Sequence, residues 1–341
     1  MGSIHKFGNQ SGRRPQPITR RHSMIKFKKV LVALVCASAA ASAAAEFPER
    51  PIRIVVPYAA GGGVDALTRP LAKEMSDLLG QSVVVENKAS ANGQVGMNDV
   101  ARAAPDGYTL VINSAAYAIG PAFYPNLPYD TINDFIPITI VASNPLMLVA
   151  AQKFKANSID DMIRMGKENE PVNFAAPGVS GIHYLAAELM AGIAGVKWTS
   201  IPYKGAGGAF PDLISGEVDV MFDNPGSSLP HVQSGRLKLI ATTGTKRTAV
   251  TPDIPTVAET LPGFDAANWF VLSAPAKTPK AIVDKLNGAV ATAMRSDAIK
   301  QMLDRNGIEV IVNQPQEAAD FIQAEVDKWG KVVSDNKLSV E

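Results

Sequence analysis

The chain has 341 residues, of which 46% are apolar and 19% charged, a composition that suits a soluble globular protein with two α/β lobes and excludes a disordered or low-complexity chain. Its 33 basic and 32 acidic residues are unevenly placed, because residues 1–45 hold eight basic residues and no acid. Without that segment 25 basic residues face 32 acidic ones, a net charge near −7, which argues against nucleic acid as a partner.

In chain order, the first element reads as a secretory signal peptide over 1–45. Its basic residues precede VLVALVCASAAASAAA, and the core from Val30 is too short and alanine-rich for a bilayer span of roughly 20 strongly apolar residues. Ala43-Ala44-Ala45 supplies a small-x-small cleavage pattern, so the mature chain is expected to start at Glu46 and to be exported to the periplasm. Met1 and Met24 both stand as initiators, and Arg20-Arg21 leaves twin-arginine export open beside the general route. The single cysteine, Cys36, lies in the signal without a lipobox, so neither a lipid anchor, a disulfide nor a thiolate is expected in the mature chain.

From Glu46 short apolar runs alternate with helical stretches. IRIVVPY (52–58), a helix through TRPLAKEMSDLLG, SVVVENK (82–88), a helix around 93–104 and YTLVINS (108–114) give three βα units and a parallel sheet. ITIVASNPLMLVAAQ (138–152) has a proline in its middle, which predicts two strands joined at a crossing between lobes. The grammar then restarts with a helix near 158–168, VNFAAPG (172–178), a helix to about Ala194, WTSIPYKG (198–205), a helix to Ser215, VDVMFDN (218–224) and LKLIATTG (237–244). NWFVLSAPA (268–276) resembles the first crossing and carries the chain back, which makes the first lobe discontinuous. The expected division is therefore 46–144 plus 266–341 for lobe 1 and 145–265 for lobe 2. Near the C-terminus the stripes Ile282, Leu286, Val290 and Ile322, Val326, Trp329, Val333 read as helix faces packed on the core.

The sharpest chemical feature is VPYAAGGGVDALTR (56–69), where a strand runs through Tyr58, Ala59, Ala60, Gly61, Gly62 and Gly63 into a helix opening with Val64-Asp65. Such a turn leaves backbone N–H groups free at the positive end of a helix, where a carboxylate fits without any Arg or Lys; the plainer reading is a tight βα turn. A second turn of this kind lies at AAPGVSGIHYLAAEL (175–189), with Gly178, Ser180, Gly181 and His183 as candidate donors and polar groups. For His183 a structural hydrogen bond stands beside ligand contact. Ser114 and Ala115, Tyr203, and Asp223 sit at the ends of other strands, where ligands bind in open α/β sheets, although Tyr203 and Asp223 equally suit a buried bond or a cap. Asp65 and Arg69 are four apart, so an ion pair along one helix face competes with ligand contact.

Signatures of catalysis, metal and cofactor are missing. Only His183 and His231 follow the signal, without acids at zinc-ligand spacing. Gly178-Val179-Ser180-Gly181-Ile182 lacks the last glycine of G-x-S-x-G, and neither a Walker motif nor a complete G-x-G-x-x-G occurs. No cofactor and no metal are expected.

The strings FPERPIRIVVPYAAGGGVD, VVVENKASANGQVG, APDGYTL, LPYDTINDFIPIT, PYKGAGGAFPDLISGEVDVMFDN and DIPTVAETLPGF resemble the Bug (TctC-like) family of periplasmic receptors, over essentially all of 47–335 and in the family's order. The resemblance implies a type II periplasmic-binding-protein fold, two βα lobes joined by a two-segment hinge around a cleft. It also implies a receptor of the tripartite tricarboxylate transporter system that serves two integral-membrane subunits, here expected as a monomer. The implied ligands are small carboxylates: amino acids, di- and tricarboxylates or aromatic acids. The implied site aligns with Tyr58 to Asp65 and with Gly178 to His183, where Val179 and Ile182 depart from a more hydroxyl-rich loop. A sensory component without transport and a carboxylic-acid enzyme on the same scaffold, with His183 or Asp223 as base, stand as alternatives.

Overall fold

The computed structural model describes residues 47–90, 93–178 and 180–339; the expected signal peptide and Val179 lie outside the described residues. The first stretch is β1 (Ile52–Val56), α1 (Gly63–Leu79), β2 (Val83–Asn87), α2 (Gln94–Ala101), β3 (Thr109–Ser114) and α3 (Ala116–Phe123). β1 reads IRIVV and buries all but Arg53, as a strand covered by helices on both faces must.

β4 (Phe135–Pro145) and β5 (Met147–Ala151) are separated by Leu146 alone. Pro145 has no N–H to extend a ladder, so the first strand stops there and the chain passes into a second sheet. That sheet is built with α4 (Ile159–Lys167), β6 (Asn173–Pro177), α5 (Ile182–Ala194), β7 (Thr199–Tyr203), α6 (Ala206–Ser215), β8 (Val220–Asp223), α7 (Pro225–Gln233), β9 (Leu237–Thr242) and α8 (Val257–Thr260). β10 (Ala267–Pro275) then returns to the first sheet, followed by α9 (Lys280–Ala293), α10 (Asp297–Asn306), β11 (Glu309–Val310) and α11 (Pro315–Asp335).

The strand orders are β11-β4-β10-β3-β1-β2 and β7-β6-β8-β5-β9. In the first sheet β1 runs parallel to β2 and β3, and β10 lies antiparallel between β3 and β4. In the second, β6 runs parallel to β7 and β8, and β5 lies antiparallel between β8 and β9. Both sheets therefore follow one plan: three parallel strands, then an antiparallel strand that has just crossed from the other sheet, then one more strand, to which the short β11 is added at the edge of the first sheet. The carboxyl ends of β1, β3, β6 and β8 point toward this crossing region, the position where open α/β sheets bind ligands. Among the described residues no helix is long and apolar enough to cross a membrane.

The C-terminal stripes are buried largely as expected. Leu286, Val290, Ile322, Trp329 and Val333 are in the core, whereas Ile282 stays at the margin and Val283 takes the inner position. α11 is tied to the crossing strand by Glu325, which is 4% exposed and accepts from the indole Nε1 of Trp269 in β10 (2.8 Å) and from that of Trp329 (2.9 Å). Its other oxygen pairs with Lys328. Replacing Glu325 with alanine is expected to leave two buried N–H groups without an acceptor and to lower stability by about 2–5 kcal/mol, read as a fall in the urea midpoint. Glu325→Gln, which keeps an acceptor oxygen, is expected to lose less; equal midpoints for wild type and Glu325→Ala would show that this carboxylate does not hold α11 in place.

Candidate functional site

The turn after β1 is shaped by backbone and not by reach of side chains. Gly61 has φ +84°, a left-handed conformation that a Cβ would strain. Gly62 is the N-cap of α1 and offers no side chain to cap it. The first bond back into the turn is from the Ala66 amide to the Gly62 carbonyl at 2.9 Å, so the amides ahead of it lack an intrahelical acceptor and point out at the positive end of the helix.

Asp65 holds this turn open. Its Oδ2 accepts from the Gly61 amide (2.8 Å) and from Arg69 Nε (2.9 Å), and its Oδ1 accepts from Asn87 Nδ2 (2.9 Å) and pairs with Arg69 Nη2 (2.9 Å). Asn87 Nδ2 also donates to the Tyr58 carbonyl at 3.2 Å. Burial opposes a charge on Asp65, yet Arg69, the Gly61 amide and Asn87 together keep its carboxyl below the ordinary carboxylate range. The Tyr58 hydroxyl donates to Asn113 Oδ1 and meets Ser114 Oγ at 3.0 Å, which joins the end of β1 to the end of β3. Burial pushes the Tyr58 phenol above its usual value, against the hydrogen bonds from Ser114, so it stays protonated at neutral pH.

Opposite this turn lies the start of α7. Asn224 is an extended N-cap without a side-chain cap bond, and Pro225 supplies the preset φ of a first helical residue. At Gly226 an added Cβ would stand 3.0 Å from Asn306 Oδ1, a contact that the Asn306 side chain would have to relieve by shifting a few tenths of an ångström. A cleft of about 620 Å³ opens between these walls. It is lined from the first turn by Tyr58, Gly61, Gly62, Gly63, Val64, Ala66 and Leu67, and from the crossing strands by Asn144, Asn268 and Phe270. Ser114 closes one end, Asn224, Gly226 and Ser227 face it from α7, and Met302, Asn306 and Ile308 cover it from α10 and the residues after it. None of these lining residues carries a charge at neutral pH, so an anion here meets backbone dipoles, hydroxyls and carboxamides.

Of the residues singled out in the sequence, Tyr58, Gly61, Gly62, Gly63 and Ser114 come together in this cleft. Ala60 is exposed on the turn, and Ala115 is buried at the N-cap of α3. Asp65 is 3% exposed, with its carboxylate occupied by the turn as described. Gly178, Ser180 and Gly181 are not among the lining residues; the Gly178 amide bonds the Tyr203 carbonyl at 3.0 Å, and Ser180 Oγ meets the hydroxyl of Tyr124, the residue that ends α3, at 3.4 Å. Ile182 is buried in the core. Tyr203 donates to Asp212 Oδ2 at 2.7 Å, and burial with that carboxylate pushes its phenol up to about 12. Asp223 is buried and accepts from the Ser227 and Ser228 hydroxyls, which stiffens the start of α7.

His183 lies one residue behind the cleft. Its Nε2 is 3.1 Å from Asn224 Nδ2, and Asn224 Oδ1 accepts from Asn144 Nδ2 at 3.2 Å. Burial holds its imidazole below the ordinary value, against the pull of the Asp223 charge and the Asn224 bond, so it is neutral at neutral pH. Asn144, Asn268, Phe270, Gly226, Ser227, Met302, Asn306 and Ile308 were not singled out in the sequence. The Asn144-Pro145 dipeptide, a break inside an apolar run, and Pro225 directly after Asn224 are the local signals that point to two of these walls. Met302 and Asn306 carry no local signal.

The model of the tripartite tricarboxylate transporter family receptor matches residues 67–338. Among solved structures, the periplasmic binding protein BugD is 33% identical and covers 86% of this chain and 99% of its own, with a TM-score of 0.70. Rpa4515 of R. palustris, solved with adipate, is 31% identical over 86% of this chain and 99% of that one, with a TM-score of 0.73. MatC of Rhodopseudomonas palustris, solved with bound malate, is 32% identical over 84% of this chain and 100% of that one, with a TM-score of 0.68. The fold is thus that of the two-lobed periplasmic binding proteins, and the chain belongs to the tripartite tricarboxylate transporter family of receptors.

Proposed function

We propose that this protein captures a small carboxylate in the cleft between its sheets and delivers it to the membrane subunits of a tripartite transporter. The observation that carries this reading is a cleft with two uncapped helix N-termini, those of α1 and α7, and no charged side chain in its lining. The carboxylate oxygens take first-turn amides from Gly62 and Gly63 on one side and Gly226 on the other, with the Ser114 hydroxyl beside them. Charge-assisted hydrogen bonds contribute roughly 1.5–3 kcal/mol each, so four or five support a dissociation constant on the order of micromolar once ordering costs are met. Adipate on Rpa4515 and malate on MatC support the ligand class.

Binding and release follow from closure of two lobes, 46–144 plus 266–341 and 145–265, about the crossings at 145–147 and 243–266. The residues before Glu46 act as a cleaved export signal, and the mature protein works as a periplasmic monomer. Receptor function is favoured over catalysis because His183, the base that a carboxylic-acid enzyme on this scaffold needs, spends its Nε2 on Asn224 and stands outside the cleft lining. It is favoured over a sensory role without transport by the family to which the chain belongs.

A thermal-shift screen with mono-, di- and tricarboxylates is expected to find acids that raise the melting temperature, since a ligand of the native state adds its binding free energy to stability. The site is tested with Gly62→Asp. Gly62 has φ −74°, and an added Cβ there meets only the Ala59 carbonyl at an ordinary 3.6 Å, so the fold is expected to tolerate the change. The new carboxylate repels the ligand, and calorimetry is expected to show affinity reduced roughly a hundredfold or more. Wild-type affinity in Gly62→Asp, or a screen in which no carboxylate stabilises the protein, would sink the assignment.

The half-buried histidines are expected to set a pH dependence of stability separate from ligand binding. Burial keeps both His183 and His231 below the ordinary value of 6.5, so in the folded chain each binds its proton less readily than in the unfolded chain. Stability present above pH 6.5 is therefore lost as the pH falls below it, until the folded state protonates too. Urea midpoints measured from pH 8 to pH 5 are expected to fall in the acid half of that range, and less steeply in His183→Gln; an identical slope would remove His183 from the account.

A further inference from the structure

The hinge floor of the cleft has a polarity of its own. Asn144 in β4 and Asn268 in β10 are cross-strand partners, and both line the cleft. The carboxamide oxygen of each is buried and has no donor among the described residues. Buried acceptors without donors are uncommon, because they forfeit the hydrogen bonds that water gave them in the unfolded chain.

The orientation of Asn144 is set from behind. The neutral His183 takes a hydrogen bond at Nε2 from Asn224 Nδ2, which turns Asn224 Oδ1 toward Asn144. Asn144 therefore spends Nδ2 on Asn224 and is left with Oδ1 as its free group. At 7% exposure Asn144 has little room to offer anything else. A cleft whose helix ends carry donors thus has, in the wall formed by the crossing strands, two carboxamide oxygens that lack a donor among the described residues.

We propose that the His183–Asn224–Asn144 chain makes this receptor select carboxylates that also bear a hydrogen-bond donor, a hydroxyl or an ammonium, received by the Asn144 and Asn268 carboxamide oxygens. The inference rests on the carboxylate-receptor reading and narrows it. A donor on the ligand satisfies acceptors that a plain acid of the same skeleton leaves bare, so selection acts by what is lost when the donor is missing. His183 and Asn224 are positioning residues here, acting on the ligand through Asn144.

The test is calorimetry on the mature protein with two matched series: succinate, malate and aspartate, and 3-phenylpropionate, 3-phenyllactate and phenylalanine. On the skeleton that fits, the hydroxylated or aminated acid is expected to bind about tenfold more tightly than its plain counterpart, and the two substituted members show which donor is taken. In Asn144→Leu, and in Asn224→Leu where the carboxamide of Asn144 loses its anchor, that ratio is expected to fall to about one. The ratio is internal to each variant, so a loss of folded protein does not imitate it. Plain acids that bind as well as substituted ones, with binding still abolished by Gly62→Asp, would overturn the donor inference and leave the receptor standing. A tenfold ratio that persists in both variants would overturn the role of the asparagine chain, and failure of every carboxylate to bind would remove the reading on which it depends.

Discussion

Asp65 places a negative charge in the first turn of a helix whose N-terminus lines the cleft and is proposed to receive an anion, and the two are compatible only because that charge is consumed locally. Four short contacts, two of them from Arg69, take up both of its oxygens and turn the carboxylate toward β2. The same contacts fix Gly61 in its left-handed conformation and so aim the next amides away from the body of the protein. Without Asp65 the glycine run has no reason to adopt one shape among many, because glycine loses more freedom on ordering than any other residue. An ion pair along one helix face thus serves the site without touching a ligand.

The exchange of strands between the sheets accounts for where the cleft lies. Each sheet receives its antiparallel strand from a segment that has just left the other, so the crossing segments are anchored at both ends by ladders. The residues that flank the crossings, Asn144 and Asn268 in one sheet and Asn224 at the end of β8 in the other, are then fixed relative to both lobes. On the far side of β10, Trp269 is pinned by Glu325 to α11, so neighbouring residues of one strand face the cleft and the rear support.

Much of the fold was legible in residue order, because alternation of apolar runs with helical stretches is a local signal and Pro145 punctuates it where the chain changes sheet. α3 and α7 were not legible: α3 contains Gly120 and Pro121, and α7 contains Pro225, Gly226 and Pro230, residues that read as loop until packing decides otherwise. For the candidate cleft, the first turn was readable because a glycine run between strand and helix leaves amides uncovered, although a plain tight βα turn reads the same way. From the sequence the facing wall is expected at 178–183, by analogy of turn with turn, and the start of α7 adds lining residues to the cleft that were not singled out there. Which strand end faces a cleft depends on its distance from the crossing, and β8 adjoins the crossing strand β5 while β6 lies one strand further out. That ordering is a property of the assembled sheet.

The placement of β10 also bears on how the chain becomes a protein. β10 lies between β3 and β4, so the first sheet is divided until a segment some 120 residues beyond β4 arrives to join its halves. Pairings this distant in sequence form late, since loop closure must be met before the contacts repay it. The second sheet draws all its strands from one continuous stretch between β5 and β9, and it has no such wait. The middle of the chain is thus free to mature first while its beginning is held open, a temporal order that suits the export in unfolded form proposed for this chain.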